Sequence, residues 1–135
     1  MSSTAARFAL VGVVNTAIDL VLFAVLSTAG CGLLLANTVS TSAGMAFSFA
    51  ANRAFSFRST ASVRSTLGPF LAVTLVGLWV LHPLVIWAAA AVLGGLGVPA
   101  VPALLLGKVA AVAVGLVWNY TWYGRVVFAE REAAR

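Results

Sequence analysis

The chain has 135 residues, 62% of them hydrophobic and 8% charged. Soluble domains carry about 25% charged residues, and a chain this short hides only part of its surface on folding. The composition therefore excludes a water-soluble globular protein and calls for lipid around it. The net charge of +5 does not make a nucleic-acid binder, because the basic residues punctuate apolar runs instead of lining a polar domain. Cys31, the single cysteine, allows no internal disulfide and fits no thiolate metal motif, and it reads as an ordinary small apolar residue.

A helix needs about 20 residues to cross the hydrocarbon core. After a short tail, residues 1–6, a first span runs from about Phe8 to Ala29, interrupted by Asn15 and Asp19. A cleavable signal peptide is the alternative for this stretch alone; the further apolar stretches and the lack of a clean cleavage site favour a retained helix. An uncharged link, GCG, leads to a second span from about Leu33 to Phe55, which holds Asn37, the small residues TSAG and the closing pair Asn52 and Arg53. Such small residues suit close helix contact. A basic loop, FRSTASVRST, precedes a third span from about Pro69 to Leu93. Pro69 is expected in its first turn, where a missing N–H costs nothing, and Pro83, next to His82, is expected to kink it. The link GGLGVP leads to a fourth span from about Val101 to Tyr123, with Lys108 near one end and an aromatic cluster at the other. The tail 129–135 is expected to fray or form a short surface helix.

The expected fold is thus an all-α integral membrane protein, a single domain over residues 7–128 with four transmembrane helices. Arg7, Arg53, Arg58, Arg64, Arg125, Arg131 and Arg135 fall on one face, against Glu130 and Glu132, and the opposite links carry no charge. The positive-inside rule places that face, with both termini, in the cytoplasm, and Trp118, Tyr120, Trp122 and Tyr123 read as its aromatic belt. The second and fourth spans also echo one another at an offset of 71 residues. Gly44 matches Gly115, Ser48-Phe49 matches Asn119-Tyr120, and Phe57 matches Phe128. Two similar helical hairpins, repeated in the same orientation, explain the echo; coincidence between apolar helices is the alternative.

Three stretches carry a family resemblance. Arg7-Phe8 followed by LVGVVNTAID, FSFAANRAFSF from Phe47 to Phe57, and WNYTWYGRVVF from Trp118 to Phe128 resemble the signatures of the GtrA-like family of small membrane proteins. Ser48 stands where that family usually has asparagine, whereas Asn119 is retained. The resemblance implies four spans in a bacterial cytoplasmic membrane. It implies movement of a polyprenyl-phosphate-linked sugar across that membrane for cell-surface polysaccharide or glycolipid synthesis, often beside a membrane glycosyltransferase.

Asp19 is the sharpest candidate. It lies roughly 17 Å deep at about 1.5 Å per residue, where a carboxylate is expensive and is usually paired or functional. Asn15 stands one turn earlier on the same face. This polar face reads as a lining for a headgroup or a coupling proton, or as a buried lock between helices. Lys108 sits at similar depth and is the natural partner of Asp19, with snorkelling to the interface as the alternative. His82 reads as a proton relay or a hydrogen-bonded packing residue, and Asn37 joins the polar set from nearer the outer face. Arg7, Asn52, Arg53, Asn119 and Arg125 gather near the basic face, where guanidinium forks suit a lipid phosphate; ordinary anionic lipid explains the arginines equally. Arg58, Arg64, Arg131 and Arg135 read as such surface contacts.

Together Asn15, Asp19, Asn37, His82 and Lys108 form a track that replaces water around a charged sugar head while its tail stays in lipid. No cofactor, metal or covalent chemistry is expected, since no hydrolase elbow, nucleotide loop or zinc motif is present. The expected partners are the lipid-linked sugar, membrane lipids, a membrane glycosyltransferase and a second copy in a parallel homodimer. Two other functions fit the same composition: a non-transporting anchor for a glycosyltransferase, and a small multidrug exporter. The pairing of Asp19 with Lys108 is testable by a double-mutant cycle. Replacing both by alanine is expected to lower the thermal stability of the detergent-solubilised protein by less than the sum of the single losses; strict additivity rules the pair out.

Overall fold

The computed structural model describes residues 3–129 and is all-α. Helix α1 runs Ser3–Thr28 and α2 runs Leu33–Ala51, ending in a π-helical turn, Asn52–Ser56. Helix α3, Val63–Val76, passes through a second π turn, Gly77–Leu81, into α4, His82–Gly95; the last helix, α5, Ala100–Trp122, ends in a third, Tyr123–Val127. Since α3 and α4 form one continuous helix, the described residues make four helices. They fall into two compact units, residues 1–60 and 61–135. Residues 130–135, with Glu130, Arg131, Glu132 and Arg135, lie outside the described residues, so the expectation for the C-terminal tail falls there too.

The expectation of four transmembrane helices does not hold. Among the described residues, three helices are long and apolar enough to cross a membrane: Ser3–Thr28, Val63–Gly95 and Ala100–Val127. Helix α2 is not among them. It has 19 residues, and Asn37, Thr38, Ser40, Thr41, Ser42 and Ser48 dilute its apolar content. The cytoplasmic placement of both termini required an even number of crossings and lapses with the fourth span.

Each unit closes its hairpin in the same way. After α1, Gly30 takes φ 88°, its N–H bonds Ser27 O at 3.2 Å and the Cys31 N–H bonds Leu26 O at 3.0 Å. After α4, Gly97 takes φ 84°, with Gly97 N–H on Gly94 O and Val98 N–H on Leu93 O, both at 3.0 Å. These are Schellman closures, in which a left-handed residue lets the chain return to the orphan carbonyls. Glycine adopts that conformation without a Cβ clash.

Two prolines shape the second unit. Ser62 caps α3, its Oγ accepting from Ser65 N–H at 3.2 Å. The helix therefore starts at Val63, and Pro69 lies inside it instead of in its first turn. Ahead of Pro83 the helix widens: His82 N–H reaches back five residues to Gly77 O, which relieves the clash between a proline ring and the carbonyl four residues earlier. Hydroxyls inside the apolar helices fold back on their own backbone. Thr16, Thr28, Thr38 and Thr74 each donate to the carbonyl four residues earlier, at 2.8–3.0 Å, as polar groups without water must.

The offset of 71 reappears in the packing. Ala36, Ser40, Gly44, Asn52 and Ser56 are buried on the first unit's second helix; Gly107, Ala111, Gly115, Tyr123 and Val127 are buried at the matching positions of the last helix. The π turns match as well, with Phe57 N–H on Asn52 O and Phe128 N–H on Tyr123 O, each at 2.8 Å. Phe8 meets Phe57 edge-on at 6.2 Å between centroids, while Tyr123 lies between Phe70 at 5.0 Å and Phe128 at 5.8 Å. Large apolar side chains elsewhere face outward, among them Leu34, Trp87 and Leu96, all more than 70% exposed, as expected where the solvent is lipid.

Beyond the first π turn, Arg58 adopts φ 50°, and Ser59 N–H closes on Arg53 O at 2.8 Å. A left-handed conformation costs a non-glycine residue about 1–2 kcal/mol, part of which glycine returns as chain entropy. Arg58→Gly is expected to raise stability by up to about 1 kcal/mol, read as a higher unfolding midpoint in detergent; a lower midpoint would show that the arginine side chain holds the turn.

Candidate functional site

In the first unit, α1 and α2 run antiparallel and bring two polar pairs together. Thr41 Oγ1 on α2 donates to Asp19 Oδ1 on α1 at 3.4 Å. One turn away, Asn15 Oδ1 points at Gly44, where an added Cβ would stand 2.8 Å from it. That oxygen is buried and has no hydrogen-bond partner among the described residues. A larger residue at position 44 would therefore displace the Asn15 carboxamide. Asn37, one turn before Thr41 on α2, is exposed.

The far end of this unit holds the arginines. Arg7 donates from Nη1 to Phe55 O at 3.2 Å and from Nη2 to Ser3 Oγ at 3.0 Å, and its guanidinium lies 5.8 Å from the centre of the Phe55 ring. Asn52 is buried and donates from Nδ2 to Ser48 Oγ at 3.1 Å; its Oδ1 has no hydrogen-bond partner among the described residues. Arg53 is half-buried in the π turn. Ser48 therefore receives the amide of the asparagine one turn on.

The second unit repeats the notch with a different side chain. His82 Nε2 points at Gly115, leaving no room for a Cβ there. One turn beyond Gly115, Asn119 has a buried Oδ1 with no hydrogen-bond partner among the described residues, near Gly77. Beside it Trp118 Nε1–H donates to Val73 O at 3.0 Å. Lys108 is exposed on α5, and Arg125 is exposed in the last π turn; neither joins the His82–Asn119 group. An open apolar groove of about 460 Å³ runs beside that group, lined by Leu81, Ala113, Val117, Trp118, Thr121 and Trp122 among others.

The aromatic cluster divides. Tyr123 is 2% exposed and shares a hydrogen bond of 2.6 Å with Thr74, so it is a core residue and not part of a belt. Trp118 is half-buried and hydrogen-bonded, while Trp122 faces outward and meets Trp118 in a tilted contact, 5.3 Å between ring centroids. Sequence reasoning missed Thr41, Gly77, Thr74 and Tyr123 as parts of these sites. Gly44 and Gly115 were visible as a repeat, but the polar side chain each accommodates was not. No group of three or more His, Cys, Asp or Glu residues placed to hold a metal ion occurs among the described residues.

Gly115→Ala drives a methyl group into the His82 imidazole and is expected to cost about 1–3 kcal/mol. In a His82→Ala background the same change becomes neutral or gains up to about 1 kcal/mol from helix propensity. Thermal unfolding of the four proteins of this cycle checks both signs.

A search of curated proteins gave no match. The family model for the GtrA/DPMS transmembrane domain matches residues 7–128, nearly the whole chain, and the three signature stretches all fall within it. The chain belongs to the GtrA/DPMS transmembrane-domain family of small multi-pass membrane proteins.

Proposed function

We propose that this protein carries a polyprenyl-phosphate-linked sugar across a bacterial cytoplasmic membrane, supplying cell-surface polysaccharide or glycolipid synthesis. The observation that carries the reading is the presence of ionisable side chains, Asp19 and Lys108, within helices long and apolar enough to span a membrane. Such residues are costly in lipid and mark ion or substrate pathways. Family membership supports a membrane role of this kind. Asn15, Asp19, Asn37, His82 and Lys108 are the proposed track for the sugar head, which needs hydrogen-bonding groups to replace water. Arg7 and Arg53, with Asn52, Asn119 and Arg125, are the proposed contacts for the lipid phosphate, since guanidinium groups match its oxygens. The groove beside Trp118 and Trp122 offers an apolar wall for a stretch of prenyl chain. This reading requires no covalent step by the protein.

The test is reconstitution into liposomes containing a labelled polyprenyl-phosphate sugar, with wild type and Asp19→Asn side by side. Wild type is expected to expose the sugar to an external reagent much faster than the folded variant does. Equal, background-level exposure with several sugars would reject transport by the protein alone and favour a supporting role beside a glycosyltransferase.

A further inference from the structure

The lining of the apolar groove in the second unit forms a straight stripe along α5. Ala113, Val117 and Thr121 stand four residues apart, and Val114, Trp118 and Trp122 run beside them at the same spacing. Residues so spaced share one helix face. Leu81, in the π turn ahead of Pro83, completes the lining. The aromatic wall is fixed in place. Trp118 Nε1–H is held on Val73 O at 3.0 Å, and the Trp122 ring leans on the Trp118 ring.

Arg125 is the next residue in the series Ala113, Val117, Thr121. It is exposed, and it makes no hydrogen bond or ion pair among the described residues. It falls near the end of the apolar helix Ala100–Val127, about 18 Å along the axis from Ala113 at about 1.5 Å per residue. That distance is more than half of a hydrocarbon core about 30 Å thick. A helical side chain lies over the turn before its own Cα, so the guanidinium leans back toward the Thr121 end of the groove. The stripe is thus apolar along its length and cationic at its membrane-surface end. One row of side chains ending in one cation suits one apolar chain ending in one phosphate; a phospholipid brings two chains. With the Trp118 N–H spent on Val73, the Thr121 hydroxyl and the Trp122 indole N–H are the hydrogen-bonding side-chain groups left in the lining. Two groups are too few for the hydroxyls of a sugar ring, each of which needs a partner once water is removed.

We propose that this stripe binds the polyprenyl phosphate carrier itself, chain in the groove and phosphate on Arg125, whether or not a sugar is attached. The identity of the chain rests on the transport reading above. Loss of the sugar turns a phosphodiester into a phosphomonoester, which carries about −1.5 to −2 charge near pH 7. The bare carrier therefore binds Arg125 at least as well as the sugar-linked form and competes with it.

Equilibrium binding of a radiolabelled short-chain prenyl monophosphate, with no sugar, to the full-length protein in detergent tests the site. Wild type is expected to bind it saturably. Val117→Trp, which fills the groove, and Arg125→Gln are each expected to weaken binding at least about tenfold, or about 1.4 kcal/mol. Both residues are exposed, so both variants are expected to keep the wild-type unfolding midpoint. The matching prenyl alcohol is expected to compete weakly, and equally well in wild type and Arg125→Gln. Binding unchanged in both variants, or displaced as readily by phosphatidylglycerol as by unlabelled prenyl phosphate, would overturn the proposal. In liposomes, bare prenyl phosphate is expected to slow the exposure of the labelled sugar lipid; transport that ignores it would reject the shared site and leave the transport reading standing. Groove-dependent binding without transport would keep the site and reject that reading.

Discussion

Two helices in lipid gain little from burying apolar side chains against each other, because the tails around them are equally apolar. What holds them is close contact, and contact needs small residues at the crossing. Here the requirement is met by residues spaced four apart: Ala36, Ser40 and Gly44 in the first unit, and Ala103, Gly107, Ala111 and Gly115 in the second. At Gly107 an added Cβ would stand 3.0 Å from Ile86 O, backbone against backbone. The stripe also sets where polar side chains go, because the space over Gly44 and Gly115 is taken by Asn15 and His82.

The same stripe explains why the two halves look alike without being equivalent. Buried positions, π turns and closing phenylalanines recur at 71 residues, and both hairpin links end in a glycine Schellman closure. The polar contents differ. One notch holds a carboxamide beside a carboxylate and a hydroxyl; the other holds an imidazole near a carboxamide and an indole N–H. At the π turns, a buried Asn52 bonded to Ser48 in one unit corresponds to a buried Tyr123 bonded to Thr74 in the other.

Widening the helix by one residue re-aims the side chains that follow. Ahead of Pro83 it accommodates the ring and presents His82 to Gly115. At Asn52–Ser56 it turns Phe55 O toward the Arg7 guanidinium and brings Phe57 against Phe8. At Tyr123–Val127 it sets Phe128 on the edge of Tyr123. Arg7 is thus held by a backbone irregularity that has no composition signal of its own.

Composition and periodicity determined that this chain is helical and membrane-embedded, because an apolar excess of this size has no other stable solution. They also gave the repeat, the two glycine-bearing links, and the isolated polar residues inside apolar helices, since a charge in lipid stands out in any sequence. The second span, expected from about Leu33 to Phe55, folds as the helix Leu33–Ala51, whose serines, threonines and Asn37 leave it outside the described helices long and apolar enough to cross. The start of α3 was misplaced because Pro69 looked like a first turn, whereas the Ser62 cap acts locally and overrides it. Only the tertiary structure decided that Tyr123 is core, that Thr41 answers Asp19, and that Gly44 and Gly115 face polar side chains. These depend on which residues of two helices meet across a hairpin, and that register is set by packing over small side chains that leave almost no mark of their own in the sequence.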